Sequence, residues 1–364
     1  YLTPVTFGGY SSVLKRMVDH QIQNISPFFA SVEGETHHEK RYASYPDLLA
    51  IGWMDAPDER AERIFHHLVQ RNAINFFSRT AVSGVISSGQ SDGEMLASLH
   101  GWLSDLRNGR SSPRGAMTGR SETSDAPLTD AGGVRRALLL VGSPKMHNST
   151  SHSLGAYLFE QLSAQNIETE TIFLHAITRS PAKTEAMLEA VDAADLVALA
   201  FPLYIDSLPA PAIAALERIA ARSRSNPAAP DPDGGRRPLF AAIANCGFPE
   251  LSQNATALAI CETFARQAGC AWASSLALGG GGWIDGKPLT ELGARTTPIR
   301  KALDLAAEAL AQGRAIPREA QDNLARAVMP AWAYRFINLG WRLKARQYGA
   351  ARSLRAQPYK EMRP

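Results

Sequence analysis

Short, mainly apolar runs alternate with amphipathic stretches along the second half of the chain. The runs are RALLLVG (136–142), TETIFLH (169–175), DLVALAF (195–201), LFAAIAN (239–245) and AWASSLAL (271–278). Runs of this length predict strands that are largely buried on both faces. Helical spacing, such as that of Leu154, Leu158 and Leu162, predicts helices over 152–165, 182–194, 211–222, 256–268 and 298–312. Five alternating strands and helices predict an α/β domain, with a doubly wound five-stranded parallel sheet, over residues 135–313.

Residues 1–107 show only the later part of such a pattern. Strand-like runs occur at 26–32, 47–53 and 80–86, and a helix is predicted over 57–71. The opening stretch TPVTFGGYSSVLKRMVD (3–19) parallels FPLYIDSLPAPAIAALERI (201–219), since both consist of a strand end, an aromatic loop and a helix. This half would expose a sheet edge and an apolar face. Either the gene product is longer, or the half packs on the second domain or on a partner chain.

Two further segments complete the predicted organisation. Residues 108–134 are rich in Gly, Ser, Thr, Pro and Asp and predict a flexible linker. Residues 314–364 form a basic and aromatic tail, in which Trp332, Tyr334 and Trp341 are interleaved with Arg and Lys. Such a helix can bind a membrane surface or nucleic acid. Packing of its aromatic stripe on a domain is the favoured interpretation.

Composition narrows the class of protein. The chain has 364 residues, 45% hydrophobic residues and a net charge of +3, which does not argue for nucleic acid. Its three cysteines include no C-x-x-C pair, so neither a zinc site nor an iron–sulfur cluster is predicted. The sparse cysteines suit a cytoplasmic protein. No apolar run approaches the roughly 18 residues of a membrane helix, so no integral membrane segment is expected.

The loops that follow the predicted strands carry the candidate chemistry, because ligands of open parallel sheets bind at that edge. The first loop, GSPKMHNSTSHSLG (142–155), places hydroxyls, an amide and Lys145 before a helix N-terminus, which favours an anion such as phosphate. An ordinary helix cap explains the same residues equally well. The loops FPLYIDSLP (201–209) and NCGFPE (245–250) could face a planar ring. A rigid loop with a half-buried Tyr204 is the alternative for the second loop. Together the three loops suggest a mononucleotide.

These three motifs, in this order and spacing, resemble the flavodoxin-like NAD(P)H-dependent FMN reductases over about 135–313. The resemblance implies a sheet of order 2-1-3-4-5, FMN as cofactor and NAD(P)H as co-substrate. It implies that the phosphate is held by residues of the first loop and that the isoalloxazine ring lies between the other two loops. The candidate cofactor-binding residues are Ser143, Lys145, Asn148, Ser149, Thr150, Ser151, Pro202, Leu203, Tyr204, Ile205, Asn245, Cys246 and Gly247. Residues 1–107 resemble the second half of another such domain, without its phosphate loop, and we expect no complete FMN site there.

The resemblance implies an oxidoreductase that transfers a hydride from a nicotinamide to flavin and then to a flavin, quinone or similar acceptor. No catalytic acid or base is required, because the flavin carries its own chemistry. A flavodoxin-type one-electron carrier and a flavin-free interaction module are the alternatives. A homodimer is a further expectation from the resemblance. The GGGGW run (279–283) is either a flap over the flavin or a plain turn.

Overall fold

The computed structural model describes residues 1–32, 34–113, 115, 117, 128, 133–177, 180–225, 237–325 and 334–358. Most of the predicted linker at 108–134, the loop residues 226–236 and Trp332 of the tail lie outside these residues.

The first unit contains two separate sheets. Its helices and strands are β1 (Leu2–Thr6), β2 (Gly9–Tyr10), α1 (Ser12–His20), β3 (Phe29–Val32), β4 (Glu35–His38), β5 (Leu48–Met54), α2 (Glu59–Asn75), β6 (Ala81–Ser87) and α3 (Asp92–Arg107). Strands β1, β5 and β6 are parallel neighbours, and the short β2 turns back along the outer edge of β1. Strands β3 and β4 form an antiparallel hairpin of their own. The predicted strand at 26–32 thus begins later and lies outside the main sheet, and the helix predicted over 57–71 extends to Asn75.

The second unit has the predicted alternation of strands and helices. It comprises β7 (Arg136–Val141), α4 (Thr150–Ser163), β8 (Glu168–Phe173), α5 (Pro181–Ala193), β9 (Leu196–Pro202), α6 (Ala210–Ser225), β10 (Leu239–Asn245), α7 (Ala255–Gln267), β11 (Ala271–Leu278) and α8 (Thr297–Ala311). All neighbouring strands are parallel, and their order across the sheet is β11-β10-β9-β7-β8. In order of appearance this is 2-1-3-4-5 read from the other edge, which confirms the predicted fold.

Burial on both sides of this sheet explains the apolar runs. Every residue of β10 and nearly every residue of β7 and β9 is buried. One core forms between the sheet and α4 and α8, and the other forms between the sheet and α5, α6 and α7. The carboxyl ends of β7, β9 and β10 therefore meet at one edge, where the candidate loops begin.

The two units pack against each other through their helices. Helix α1 lies on α6, and α2 lies on α7. Phe7 and Ile64 of the first unit belong to the core beneath α6 and α7. Of the three expectations for the first half, the structure shows its packing on the second domain.

The described part of the tail packs on both units. It contains α9 (Arg318–Ala325), which covers β11, and α10 (Tyr334–Gln347), which contacts β3. The guanidinium groups of Arg342 and Arg355 lie 5.6 and 5.2 Å from the ring centroid of Phe28. These contacts are made by arginines, whereas Trp341 of the aromatic stripe is 39% exposed, so packing of the stripe itself stays a prediction. None of the described helices is both long and apolar enough to span a membrane.

Candidate functional site

The loop between β7 and α4 ends in a capped helix N-terminus. Ser149 is the N-cap residue of α4, and its hydroxyl accepts a hydrogen bond from the amide of His152 at 3.2 Å. The same hydroxyl donates to the carbonyl of Met146 at 2.6 Å. The amides of Thr150 and Ser151 lie in the first turn, where a helix offers them no acceptor. They form the part of the loop that best suits an anion.

Two hydroxyls of this first turn link it to neighbouring loops. The Ser151 hydroxyl donates to Oδ1 of Asn245 at 2.7 Å, at the end of β10. The Thr150 hydroxyl donates to the carbonyl of Gly281 at 2.8 Å. Both side chains are buried, so they act in this structure as links between loops. A phosphate at this site would use backbone amides or require these hydroxyls to rotate.

The loop after β11 packs against the loop between β7 and α4 from the other side. Gly286 has a φ of +81°, and a Cβ at this position would lie 2.6 Å from Cα of Asn148. Only glycine permits this close approach of the two backbones. The same loop brings Asp285 to 3.6 Å from Nζ of Lys145, and both side chains are two-thirds exposed. This pair is weak, because exposed ion pairs contribute about 0–1 kcal/mol.

The loop after β9 makes a tight turn at 204–207. Tyr204 and Ser207 exchange backbone hydrogen bonds of 2.9 and 3.1 Å. Between them, Ile205 and Asp206 have positive φ values of 43° and 59°. Positive φ is costly for a β-branched residue, so contacts elsewhere must hold this turn.

The first unit supplies those contacts. The buried carboxylate of Asp206 accepts hydrogen bonds from the side chains of Asn75 at 2.6 Å and Asn72 at 3.1 Å, and it lies 3.4 Å from Nε of Arg71. Nζ of Lys15, which is fully buried, donates to the carbonyl of Tyr204 at 2.8 Å. Burial lowers the pKa of Lys15, and the neighbouring Asp19 opposes that shift.

A cavity of about 210 Å³ lies where the loops after β9 and β10 face the first unit. Leu203, Ile205, Cys246, Gly247 and Phe248 line it from the second unit. Side chains of the first unit close its other side, namely Ile22, Ile25, Phe29, His38 and Asn75. Pockets that enclose a drug-sized ligand measure about 300–1,000 Å³, so this cavity suits only part of a mononucleotide, such as an edge of its ring.

Cys246 lines the cavity but is not poised as a nucleophile. Burial raises the pKa of its thiol to about 11, despite a hydrogen bond from the Asn254 amide. The thiol is therefore protonated at neutral pH, and the thiolate is the reactive form. Among the described residues, no three His, Cys, Asp or Glu side chains form a metal-binding group.

The structure brings the candidate residues to one edge in two clusters. Ser143, Lys145, Asn148, Ser149, Thr150 and Ser151 form the loop before α4, with Lys145 and Asn148 exposed. Pro202, Leu203, Tyr204, Ile205, Cys246 and Gly247 lie at the end of β9 and in the loops after β9 and β10. Asn245 joins the clusters, since its side chain bonds to Ser151 and its carbonyl accepts from the amide of Leu203 at 2.8 Å.

Sequence reasoning missed the contribution of the first unit to this edge. Phe29 and His38 face the cavity from the β3–β4 hairpin, but ETHH (35–38) has no strand-like pattern and no loop motif to mark it. Glu250, one of two carboxylates in the loops after β9 and β10, accepts hydrogen bonds from the amide and hydroxyl of Thr36 at 3.0 and 2.8 Å. The other carboxylate, Asp206, accepts hydrogen bonds from the side chains of Asn72 and Asn75 on α2.

The sheet order, with a helix N-terminus after its first strand and a cavity at the switch-point edge, defines a flavodoxin-like fold. Residues 135–239 match the family model described as a flavodoxin-like fold. No curated protein matches the chain.

Solved structures with a similar fold include several reductases. A flavone reductase is 13% identical, with a TM-score of 0.37, over 62% of this chain and 94% of its own. An FMN-dependent NADH-azoreductase from Bacillus anthracis in complex with FMN is 14% identical, with a TM-score of 0.35, over 48% of this chain and 99% of its own. An NAD(P)H:quinone oxidoreductase from Methanothermobacter marburgensis is 15% identical, with a TM-score of 0.33, over 52% of this chain and 98% of its own.

Proposed function

We propose that this chain is an FMN-dependent NAD(P)H oxidoreductase that passes a hydride from a nicotinamide to flavin and then to a small acceptor such as a flavin or quinone. The observation that carries the proposal is the cavity at the carboxyl ends of β9 and β10, beside the capped N-terminus of α4. In a flavodoxin-like fold, this edge is where a mononucleotide binds.

The described residues fit FMN in both of its parts. The phosphate would meet the amides of Thr150 and Ser151 and the charge of Lys145. The ring would lie between Leu203 and Gly247, whose backbones border the cavity. FMN, when bound, supplies the hydride chemistry, and the protein supplies position and shelter from water.

The position of the β3–β4 hairpin favours a reductase over a one-electron carrier. A carrier that docks to protein partners needs an exposed ring edge, whereas Phe29 and His38 of this hairpin line the cavity from the first unit. A cavity lined from both units suits small molecules that enter and stack on the ring.

Anaerobic mixing of the FMN-loaded protein with NADH or NADPH tests the proposal. We expect the flavin absorbance to bleach within seconds and to return when a quinone is added, with steady turnover when both substrates are present. The proposal fails if dithionite bleaches the bound flavin but neither nicotinamide does. That result would favour the one-electron carrier.

A further inference from the structure

The turn before α6 has a counterpart before α1. Residues 6–9 and 204–207 each form a tight turn whose two central residues have positive φ, namely 55° and 89° in the first and 43° and 59° in the second. In both segments a helix begins three residues after the turn, at Ser12 and at Ala210. The two segments therefore correspond residue by residue, so that Phe7 matches Ile205 and Asp19 matches Glu217.

Corresponding residues of α1 and α6 cap each other. The amide of Ser12, the first residue of α1, donates to the carboxylate of Glu217 at 2.9 Å. The amide of Ala210, the first residue of α6, donates to the carboxylate of Asp19 at 2.9 Å. Glu217 and Asp19 are each the eighth residue of their helix. The two helices thus satisfy each other's free N-terminal amides by the same contact made in both directions.

The side chain at the tip of each turn packs in the core of the opposite unit. Phe7 is buried in the core of the second unit, with its ring 5.2 Å from that of Phe264. Its counterpart Ile205 is buried in the core of the first unit, with Tyr10 and Phe65. Each unit therefore contributes the corresponding residue of its turn to the core of the other unit.

Helices α2 and α7 pack on each other beside α1 and α6. The start of α2 meets the end of α7, where Nη2 of Arg266 lies 2.7 Å from Oδ2 of Asp58 and Nη2 of Arg60 lies 2.5 Å from Oε2 of Glu262. Burial raises the pKa of Asp58, but hydrogen bonds from Arg266 and from the Ala61 amide outweigh it and hold the pKa below its usual value. The contacts between α1 and α6 match in both directions, which is the property of a two-fold interface between like subunits.

We infer that the two units form an internal pseudo-dimer about an approximate two-fold axis between α1 and α6, and that the first unit completes the ring site of the second by placing Phe29 and His38 beside it. The ring part of this inference rests on the proposed function. The pseudo-dimer rests on the reciprocal contacts alone.

Phe29 and His38 are placed to meet a planar ligand. The centroid of each of their rings lies 5.3 Å from the ring centroid of Phe248, which lines the cavity from the second unit. Nδ1 of His38 lies 2.6 Å from the carbonyl of Ser26, which fixes the imidazole orientation. Burial lowers the pKa of His38, so the imidazole is neutral at neutral pH and presents a flat, uncharged wall.

Titrations with FMN and with riboflavin, which lacks the phosphate, test the composite site. The variants are Phe29→Leu and His38→Ala, with His38→Gln to retain the hydrogen bond to Ser26. The matched control is His100→Ala, an exposed histidine on α3. We expect each of the three cavity variants to weaken the binding of FMN and of riboflavin by the same factor, roughly 2- to 10-fold for a lost aromatic contact. His100→Ala should bind both flavins as the wild type does.

The composite site is overturned if the wild type binds FMN and the Phe29 and His38 variants match it in affinity and in flavin spectrum. A wild type that binds neither flavin instead overturns the proposed function, and with it the ring part of this inference.

Thermal unfolding of the flavin-free protein tests the pseudo-dimer. Asp19→Ala and Glu217→Ala should each lower the single midpoint at which both units unfold, whereas Glu308→Ala, on the exposed face of α8, should leave it unchanged. Two separate transitions, or a Glu217→Ala midpoint equal to that of the wild type, would refute it.

Discussion

Lys145 and Asp285 have opposite expected effects on phosphate binding. Nζ of Lys145 is the cation of the loop before α4, and Asp285 places an anion 3.6 Å from it. We expect Lys145→Ala to weaken FMN binding by about 2- to 5-fold, as for an exposed charge pair, and to leave riboflavin binding unchanged. Asp285→Asn should strengthen FMN binding by a similar factor, since it removes repulsion of the phosphate. Fluorescence titration measures both affinities.

Lys344→Ala, an exposed lysine on α10, serves as the matched control. An equal loss of riboflavin and FMN affinity in Lys145→Ala would show that the loop acts on the ring and not on the phosphate.

The strands of the second sheet could be predicted because their residues carry the signal locally. A strand such as Ala-rich β10 is buried along its whole length, so its sequence needs no polar alternation. The role of Ser149 as a helix cap could likewise be predicted, because its hydroxyl directly precedes a helical pattern. Asp206 could not be interpreted in this way, because its partners Asn72 and Asn75 are more than a hundred residues away.

The turn tips at Phe7 and Ile205 are the strongest test of how the two units are joined. Each side chain is buried in the core of the opposite unit. We expect Phe7→Ala to cost about 3–5 kcal/mol and Ile205→Ala about 2–5 kcal/mol of unfolding free energy, as for other large-to-small core changes. Chemical denaturation measures both values.

Val13→Ala provides the control, since Val13 is 82% exposed on α1. A cost below about 0.5 kcal/mol for Phe7→Ala, as for an ordinary surface substitution, would mean that the first turn is not held in the second unit.

The β3–β4 hairpin shows why the composite site escaped sequence reasoning. A parallel-sheet pattern predicts strands that join the main sheet, but this hairpin pairs only with itself and packs through Phe29 and His38 on Phe248. Its role depends on the placement of one unit on the other. No periodicity within either unit encodes that placement.

The molecule as a whole joins a flavodoxin-like unit to a partial α/β unit through contacts made in both directions. The second unit holds the helix N-terminus suited to an anion, and the first unit lines one side of the cavity. Among the described residues of the first unit, no loop corresponds to the one before α4. We therefore predict one flavin site, built by both units.

Calorimetric titration of the purified chain with FMN tests this account most directly. We predict saturation at one FMN per chain, with a flavin spectrum that differs from that of free FMN. Saturation at two FMN per chain, or no binding at all, would contradict it.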